Sequence, residues 1–222
     1  MPHHRSRPAL SYEKVLDAAL ELADTLGIES LTIRRLAETL GVKTMTVYHY
    51  VASKDAILDG MVEQVFQEIT VPPESSPWIE ALRIRCVSAH TALNRHPWVA
   101  QFLESRTHPG PLNLAHHEAV LTCLRRGGLS WQLTAHAYAV LDSFVFGFAF
   151  EEAVLPSMDT GDFVEVATDI AGGLDPKVYP TLTAFTSEHV LQPDYSFGAS
   201  FDFGLDLILE GLRRASQEEA QQ

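Results

Sequence analysis

Cysteine is scarce in this sequence: the 222 residues include only Cys86 and Cys123, which are not spaced as a CxxC pair. A disulfide framework or a cysteine-rich zinc site is therefore not expected, and a reduced cytoplasm is the expected location. The N-terminus has no apolar stretch of the signal-peptide type. The most apolar run, residues 137–150, contains Asp142 and stops before two glutamates, so it is too short and too polar to span a membrane.

Positive charge is also scarce, because 16 Lys and Arg stand against 29 Asp and Glu, which gives a net charge of −13. Such acidity usually argues against nucleic acid as a partner. The basic residues are unevenly placed, however. Between residues 30 and 54 a single acid accompanies four basic residues, which are Arg34, Arg35, Lys43 and Lys54. A basic surface is therefore predicted in this segment.

Alternating strand patterns are nearly absent, whereas apolar residues recur at helical spacing along almost the whole chain. We therefore predict an all-α fold, with an N-terminal three-helix bundle containing a helix-turn-helix and a larger C-terminal helical domain. The segment VPPESSPW at 71–78 is too rich in proline for a helix and marks the boundary. The predicted parts are a flexible arm at 1–10, a first domain at 11–70 and a second domain at 77–216.

Capping residues and glycines predict the helix ends in the first domain. Ser11 and Ser53 are placed to begin helices, while Gly27 and Gly41 are placed to end them. Helices are predicted at 11–26, 32–40, 44–50 and from 54 onward, then at 78–95, 97–105, 112–126, 130–153, 176–190 and 198–215. Residues 155–176 are predicted to form a long loop, which in a compact domain is mobile or functional.

The helices predicted at 32–40 and 44–50 form a unit of the size that places its second helix in the DNA major groove. Packing of their apolar faces leaves an outward side formed by Thr44, Met45, Thr46, His49 and Tyr50. Hydroxyl, imidazole and thioether groups suit base edges and the thymine methyl group. Phosphate contacts are predicted for the flanking residues Thr32, Arg34, Arg35 and Lys54, and Lys43 is also predicted to contact DNA. The alternative is an ordinary helical pair with a solvated aromatic edge at residues 48–50.

The order SLTIRRLAETLGVKTMTVYHYVASKDAIL resembles the N-terminal signature of the tetracycline repressor (TetR) family of bacterial regulators. The later segments NRHPWVAQFLESR and FDFGLDLILEGLRR are similar to the regulatory domain of its tetracycline-repressor subgroup. The resemblance implies a homodimer bound to a palindromic double-stranded operator and a C-terminal domain for effector binding and dimerisation. It also implies base contacts from residues 44–46, 49 and 50, and phosphate contacts from Thr32, Arg34, Tyr48 and Lys54. Met45 stands where tetracycline repressors have proline, so a different operator sequence is expected.

Dimerisation is also indicated by two strongly apolar helices, at 130–153 and 198–215. The predicted interface residues are Leu133, Ala137, Leu141, Phe144, Phe201, Leu205, Ile208, Leu209 and Leu212. The resemblance implies that these helices form a four-helix interface with a second subunit. The alternative is that both stripes belong to the core of a single subunit.

An effector site is predicted from polar or aromatic residues on otherwise apolar helices: Arg85, His90, Trp98, Phe102, His116, Tyr138, Asp142 and Phe146. Each could instead be a satisfied core residue, and Asp142 could pair across a dimer. Tetracycline-binding members present a His, Asn, His and Gln set with magnesium; Arg85 falls near the Asn position, so tetracycline is not the expected effector.

Other functions have weaker support in the sequence. The HHE run at 116–118, with His90 and His96, suggests a metal site, but adjacent helical histidines point about 100° apart and chelate one ion poorly. No cofactor or metal is predicted, and no catalytic motif is evident. The prediction is a cytoplasmic, effector-released repressor that does not interact with membranes. Alternatives are an activator of the same architecture, or a helical small-molecule-binding protein or enzyme without DNA binding. The basic arm could also contact the minor groove.

Overall fold

The computed structural model describes residues 10–103, 110–155 and 162–221, and within these ranges it contains helices and no strand. The helices are α1 (Tyr12–Leu26), α2 (Ile33–Leu40), α3 (Thr44–Val47), α4 (Lys54–Glu68), α5 (Trp78–Arg95), α6 (Ala100–Leu103), α7 (Pro111–Arg126), α8 (Trp131–Val154), α9 (Asp162–Gly173), α10 (Pro180–Phe185) and α11 (Ser200–Glu219). The all-α prediction is confirmed. The predicted N-terminal arm lies outside the described residues except for Leu10, which packs against the core.

Local capping explains where the N-terminal helices begin. The Ser11 hydroxyl accepts the Lys14 N–H at 3.3 Å, Thr32 accepts the Arg35 N–H at 3.1 Å, and Ser53 accepts the Ala56 N–H at 3.1 Å. Each bond satisfies a first-turn N–H that has no partner within its helix. Fully buried Val15, Leu36, Val47, Ile57 and Met61 then join α1 to α4 around one core.

Gly41 makes the turn between α2 and α3. It adopts left-handed backbone angles, φ 67° and ψ 35°. Its N–H donates to Glu38 O at 3.1 Å, and the Val42 N–H donates to Ala37 O at 3.0 Å. This pair of bonds satisfies two carbonyls at the end of α2 and turns the chain toward α3.

Replacing Gly41 with Ala is expected to lower the free energy of unfolding by about 1 kcal/mol, because an L side chain strains this left-handed conformation. Urea denaturation followed by circular dichroism measures the change. Gly211→Ala is the control, since Gly211 lies within α11 and a Cβ there meets no atom within 4 Å. Equal or greater stability of Gly41→Ala would contradict the role of this turn.

The second helix of this unit is shorter than predicted. The α-helical part is Thr44–Val47, and residues 48–50 continue as a tighter turn. The His49 N–H donates to Thr46 O at 3.2 Å and the Tyr50 N–H to Val47 O at 2.9 Å, both bonds spanning three residues. The prediction of a helix through Tyr50 is corrected in its bounds, although the segment remains a compact helical turn.

The C-terminal part packs around α8, which contacts α5, α7 and α11. Leu141, Val145 and Ala149 form the buried side of α8. By length and composition alone, α8 could cross a membrane, and it is the one such helix in the described ranges. A core helix passes the same test, and the packing of α8 on three other helices favours that interpretation.

The prediction of a loop at 155–176 is wrong for residues 162–173, which form α9. Flanking glycines and prolines suggested a loop, but Phe163, Ala167 and Ile170 recur at helical spacing. These side chains face Thr186 and Val190 across an apolar cleft of about 210 Å³. The helix predicted from 176 begins instead at Pro180, because proline disfavours helical angles at the preceding residue, Tyr179.

Candidate DNA-binding surface and regulatory core

The structure places the predicted DNA-contacting residues on the outside of the helix-turn-helix. Met45 is 69% exposed and Thr46 is half-buried. The remaining nine are exposed, with Tyr50 at 37%: Thr32, Arg34, Arg35, Lys43, Thr44, Tyr48, His49, Tyr50 and Lys54. The intervening Val47 and the following Val51 are buried. The backbone of residues 44–50 is thus held from the inside, while its polar and aromatic side chains remain accessible.

Two flanking residues already have partners within the protein. Arg34 Nε lies 3.0 Å from Glu38 Oε1, but both side chains are largely exposed, so the pair contributes little and can exchange for a phosphate. The Thr32 hydroxyl accepts a bond from the Arg35 N–H, which leaves its own O–H able to donate to a phosphate oxygen. This region can therefore contact a DNA backbone without refolding.

A polar cluster lies in the C-terminal part, where α5, α7 and α8 meet. Arg85 Nη1 is 2.8 Å from Asp142 Oδ1, and only 3% of the Arg85 side chain is exposed. The two atoms are close but poorly aligned for a hydrogen bond, so the contact is an ion pair. Arg85 Nε has no hydrogen-bond partner among the described residues. The Arg85 guanidinium also lies 5.9 Å from the centre of the Phe146 ring.

Tyr138 and His116 extend this cluster. The Tyr138 hydroxyl is hydrogen-bonded to His117 Nδ1. Burial raises the pKa of Tyr138 well above its ordinary value, and the nearby Asp142 carboxylate raises it further. Burial lowers the pKa of His116, which is therefore neutral at pH 7, and its Nδ1 has no hydrogen-bond partner within the described ranges. The His116 ring lies 5.5 Å from the Phe66 ring on α4.

The structure does not bring the other three predicted effector residues into this cluster. His90 is hydrogen-bonded to Glu152 and stacks on Phe201 with ring centroids 3.7 Å apart. Trp98 donates from Nε1 to Asp24 at 2.7 Å and packs against Phe102. His90 is therefore satisfied near the end of α8, whereas Trp98 and Phe102 lie where the two parts of the chain meet.

Sequence reasoning missed the polar contacts at this junction. Buried His96 lies between Asp24 of α1, at 2.9 Å, and Glu68 of α4, at 3.1 Å. Nearby, Glu63 of α4 accepts the backbone N–H groups of Leu112 and Asn113 at 2.8 and 3.3 Å. Only the break NRHPW after α5 hinted at a special position, since the partners are far apart in sequence. These bonds join the N-terminal helices to the C-terminal core.

Most of the predicted dimer residues are already covered within the single subunit. Those less than a tenth exposed are Ala137, Leu141, Phe201, Leu205, Leu209 and Leu212. A side chain already covered within one subunit offers almost no area to another. Leu133, Phe144 and Ile208 are half-buried and remain available.

A different apolar face of α8 and α11 is exposed, and we name it the α8–α11 face. Its members are Val140, Phe150 and Val154 on α8, and Phe203 and Leu207 on α11. The two helices are close together, since a Cβ on Gly204 would stand 2.7 Å from the Phe144 ring. Phe203 is 68% exposed and Leu207 is 60% exposed, which is unusual for such a group of large apolar side chains.

Within the described residues, no group of three or more His, Cys, Asp or Glu side chains is arranged to hold a metal ion. His116 and His117 illustrate the reason, since the first packs toward Phe66 on α4 and the second bonds Tyr138 on α8.

Comparisons with known proteins agree with both parts of the structure. Residues 15–61 match the family described as bacterial regulatory proteins, tetR family, and residues 71–215 match the tetracyclin repressor-like C-terminal domain. The chain is 31% identical to the HTH-type transcriptional repressor DrrR1 of Streptomyces coeruleorubidus, over 95% of this chain and 80% of that protein. It is 30% identical to the class A tetracycline repressor protein from transposon 1721 of Escherichia coli, over 90% and 89% of the two chains.

Comparison with solved structures also finds regulators of this kind. Apo ActR from Streptomyces coelicolor aligns with a TM-score of 0.76 and 26% identity, covering 96% of this chain and all of that one. ActR has also been solved in complex with actinorhodin, and that structure aligns with a TM-score of 0.74. The chain therefore belongs to the TetR family of bacterial transcriptional regulators, with a helix-turn-helix DNA-binding domain and a C-terminal domain of the ligand-responsive, tetracycline repressor-like type.

Proposed function

We propose that this regulator is a repressor that binds a palindromic operator as a homodimer, and that an aromatic effector bound at the Arg85–Asp142 cluster releases it. The observation that carries the DNA-binding part is the exposure of residues 44–50 around buried Val47. A rigid turn with outward hydroxyl, imidazole and phenol groups suits the major groove. The repressor role is supported by the names of the relatives, which include DrrR1.

Base contacts are assigned to Thr44, Met45, Thr46, His49 and Tyr50. Phosphate contacts are assigned to residues on either side: Thr32, Arg34, Arg35, Lys43, Tyr48 and Lys54. This division follows from chemistry, because Lys and Arg bind any phosphate whereas short polar and thioether side chains respond to individual base edges.

Replacing both His49 and Tyr50 with Ala is expected to lower operator affinity about 100-fold, since each specific base contact contributes about 1–3 kcal/mol. The binding probe is labelled DNA from the region flanking the protein's own gene, and fluorescence anisotropy measures the affinity. Size-exclusion chromatography checks that the oligomeric state is unchanged. Tyr179→Ala, which removes an exposed ring far from this surface, is the control. Undiminished sequence discrimination by the double variant would refute the assigned contact face.

Lys54→Ala is expected to reduce the slope of log affinity against log salt concentration by about 2, because each of the two subunits loses one phosphate contact and about one released counterion. Lys177→Ala provides the matched control, since Lys177 is exposed between α9 and α10. Titrations at several salt concentrations measure both slopes. Identical slopes for Lys54→Ala and the wild type would show that Lys54 does not contact a DNA phosphate.

The effector assignment rests on unpartnered polar atoms in an otherwise apolar core. Arg85 Nε and His116 Nδ1 are buried without hydrogen-bond partners among the described residues, and leaving such groups unpaired costs about 1–3 kcal/mol each. An aromatic ligand with an acidic or hydroxyl oxygen would satisfy Arg85 and pack against Phe146 and Tyr138. ActR, a relative that binds actinorhodin in its crystal structure, supports a small-molecule site of this general kind.

Release would follow from contacts between the cluster and α4. An effector that displaces His116 also displaces its partner Phe66, and α4 carries the DNA-binding part. A coupling of about 1–3 kcal/mol changes affinity about 5- to 150-fold, which is enough to free an operator. Transcript levels from the flanking genes, with and without the protein, distinguish repression from activation: repression requires higher levels in its absence.

A further inference from the structure

A second cavity, of about 630 Å³, lies between α1, α4, α6 and the start of α7. We name it the junction cavity. None of its lining residues belongs to the Arg85–Asp142 cluster, so it is a separate site. Its volume is in the range that holds drug-sized molecules. It is placed where the DNA-binding part meets the C-terminal core.

Among the described lining residues of the junction cavity, every charged group is acidic. Glu13 comes from α1, and Asp59 and Glu63 come from α4, whereas no Lys, Arg or His is among its described lining residues. Carboxylates on several sides favour a cationic occupant and repel an anionic one. The cavity therefore selects the opposite charge from the one that Arg85 favours in the core cluster.

Two buried acceptors at this cavity have no hydrogen-bond partner in the described part of the chain: Gln64 Oε1 and Asn113 Oδ1. The orientation of Gln64 is fixed, because its Nε2 donates to the Asp17 carboxylate at 2.7 Å and a carboxylate can only accept. Its amide oxygen must then face the other way. Both oxygens have almost no exposed surface in this structure, so a ligand that donates N–H or O–H groups would reach them only after small side-chain movements.

The remaining walls suit an apolar or aromatic body. Tyr12, Leu16, Val62, Phe102 and Leu112 contribute apolar surface to the cavity. Aromatic faces at Tyr12 and Phe102 also attract a cation that lies close to them. Together, the lining residues favour a ligand that has a positively charged hydrogen-bond donor attached to an apolar ring system.

We propose that the junction cavity binds small molecules that carry a protonated amine on an apolar or aromatic body. Such a ligand would contact both sides of the junction, since Glu63 holds the first turn of α7 through Leu112 and Asn113. It would therefore act as a second regulatory input, separate from the core effector. Binding to the cavity does not depend on the proposed operator function, so the two can fail independently.

Dansylcadaverine is a suitable probe, because it joins an environment-sensitive aromatic group to a primary amine. Its N-acetylated form keeps the ring and loses the charge. Full-length protein titrated with each probe is expected to bind the amine at least about 10-fold more tightly, a difference of about 1.4 kcal/mol. Absence of saturable amine binding, or equal affinity for the two probes, would overturn the proposal.

Variants locate the probe. Gln67→Lys adds a positive charge to the exposed rim of the cavity, and Asn113→Leu removes an acceptor while filling space; each is expected to weaken dansylcadaverine binding about 10-fold or more. Gln132→Lys, at an exposed position on α8, is the charge-matched control and should bind normally. If Phe146→Ala weakens binding while Gln67→Lys does not, the probe occupies the core cluster and the assignment to the junction cavity is wrong.

Discussion

Replacing Phe203 and Leu207 with Glu is expected to convert the dimer into folded monomers and to lower operator affinity about 1000-fold or more. Both side chains lie on the exposed α8–α11 face, and a twofold interface brings each substituted face against its own copy. Buried carboxylates without partners and the repulsion between like charges then oppose association. A monomer would hold only one half-site and lose the contribution of the second recognition unit.

Analytical ultracentrifugation and circular dichroism measure the oligomeric state and the fold of this variant. The control carries Glu at Val71 and Leu114, two exposed apolar positions away from the α8–α11 face. That variant should remain dimeric. A stable dimer of the Phe203→Glu, Leu207→Glu variant would show that subunits associate through another surface.

Asp142→Ala is expected to lower the free energy of unfolding by about 3–5 kcal/mol, because it leaves the Arg85 charge buried without its counterion. Arg85 is only 3% exposed and cannot reach water without rearrangement of α5 and α8. Urea denaturation measures the loss. Asp202→Ala breaks the exposed pair with Arg83 and should cost less than about 1 kcal/mol.

The double variant Arg85→Met, Asp142→Leu separates charge from packing. Apolar residues of similar size remove the buried charge together with its counterion, so much of the lost stability should return. The same variant should lose its response to the effector, because it lacks the proposed ligand donor. Equal destabilisation by the single and double variants would mean that packing around Asp142, and not its charge, is responsible.

The helix-turn-helix could be predicted from sequence because its signals are local. Ser11, Thr32 and Ser53 lie at the starts of their helices, and Gly41 supplies the left-handed turn between α2 and α3. Each of these features acts within four residues of its own position. The length of α3 was overestimated. After Val47 the backbone hydrogen bonds span three residues instead of four, and no residue type in the sequence signals this change.

The face of α8 that packs inward could not be predicted. The helix is apolar around most of its circumference, so spacing alone gives two acceptable stripes. Leu141 and Val140 are adjacent and equally apolar, yet one is buried and the other is 47% exposed. Packing against α5 and α11 determines which side of α8 is buried, and the sequence of α8 alone does not.

The polar contacts were predictable as residue types but not as pairs. Asp142 stood out as an acid in an apolar helix, but its pairing with Arg85 depends on the packing of α5 against α8. His96 and Glu63 gave less warning, because their partners lie on helices distant in sequence. Long-range contacts of this kind follow from topology, which local patterns determine only coarsely.

The most direct test of the central claim is selection of DNA bound by the purified protein from a pool of random duplexes. Two exposed turns at residues 44–50, related by a twofold axis, predict an enriched palindrome whose half-sites are centred about one helical turn apart, or a small multiple of it. The His49→Ala, Tyr50→Ala variant should enrich no such palindrome. Selection of a single unrepeated motif, or of the same palindrome by the variant, would contradict the proposed DNA-binding surface.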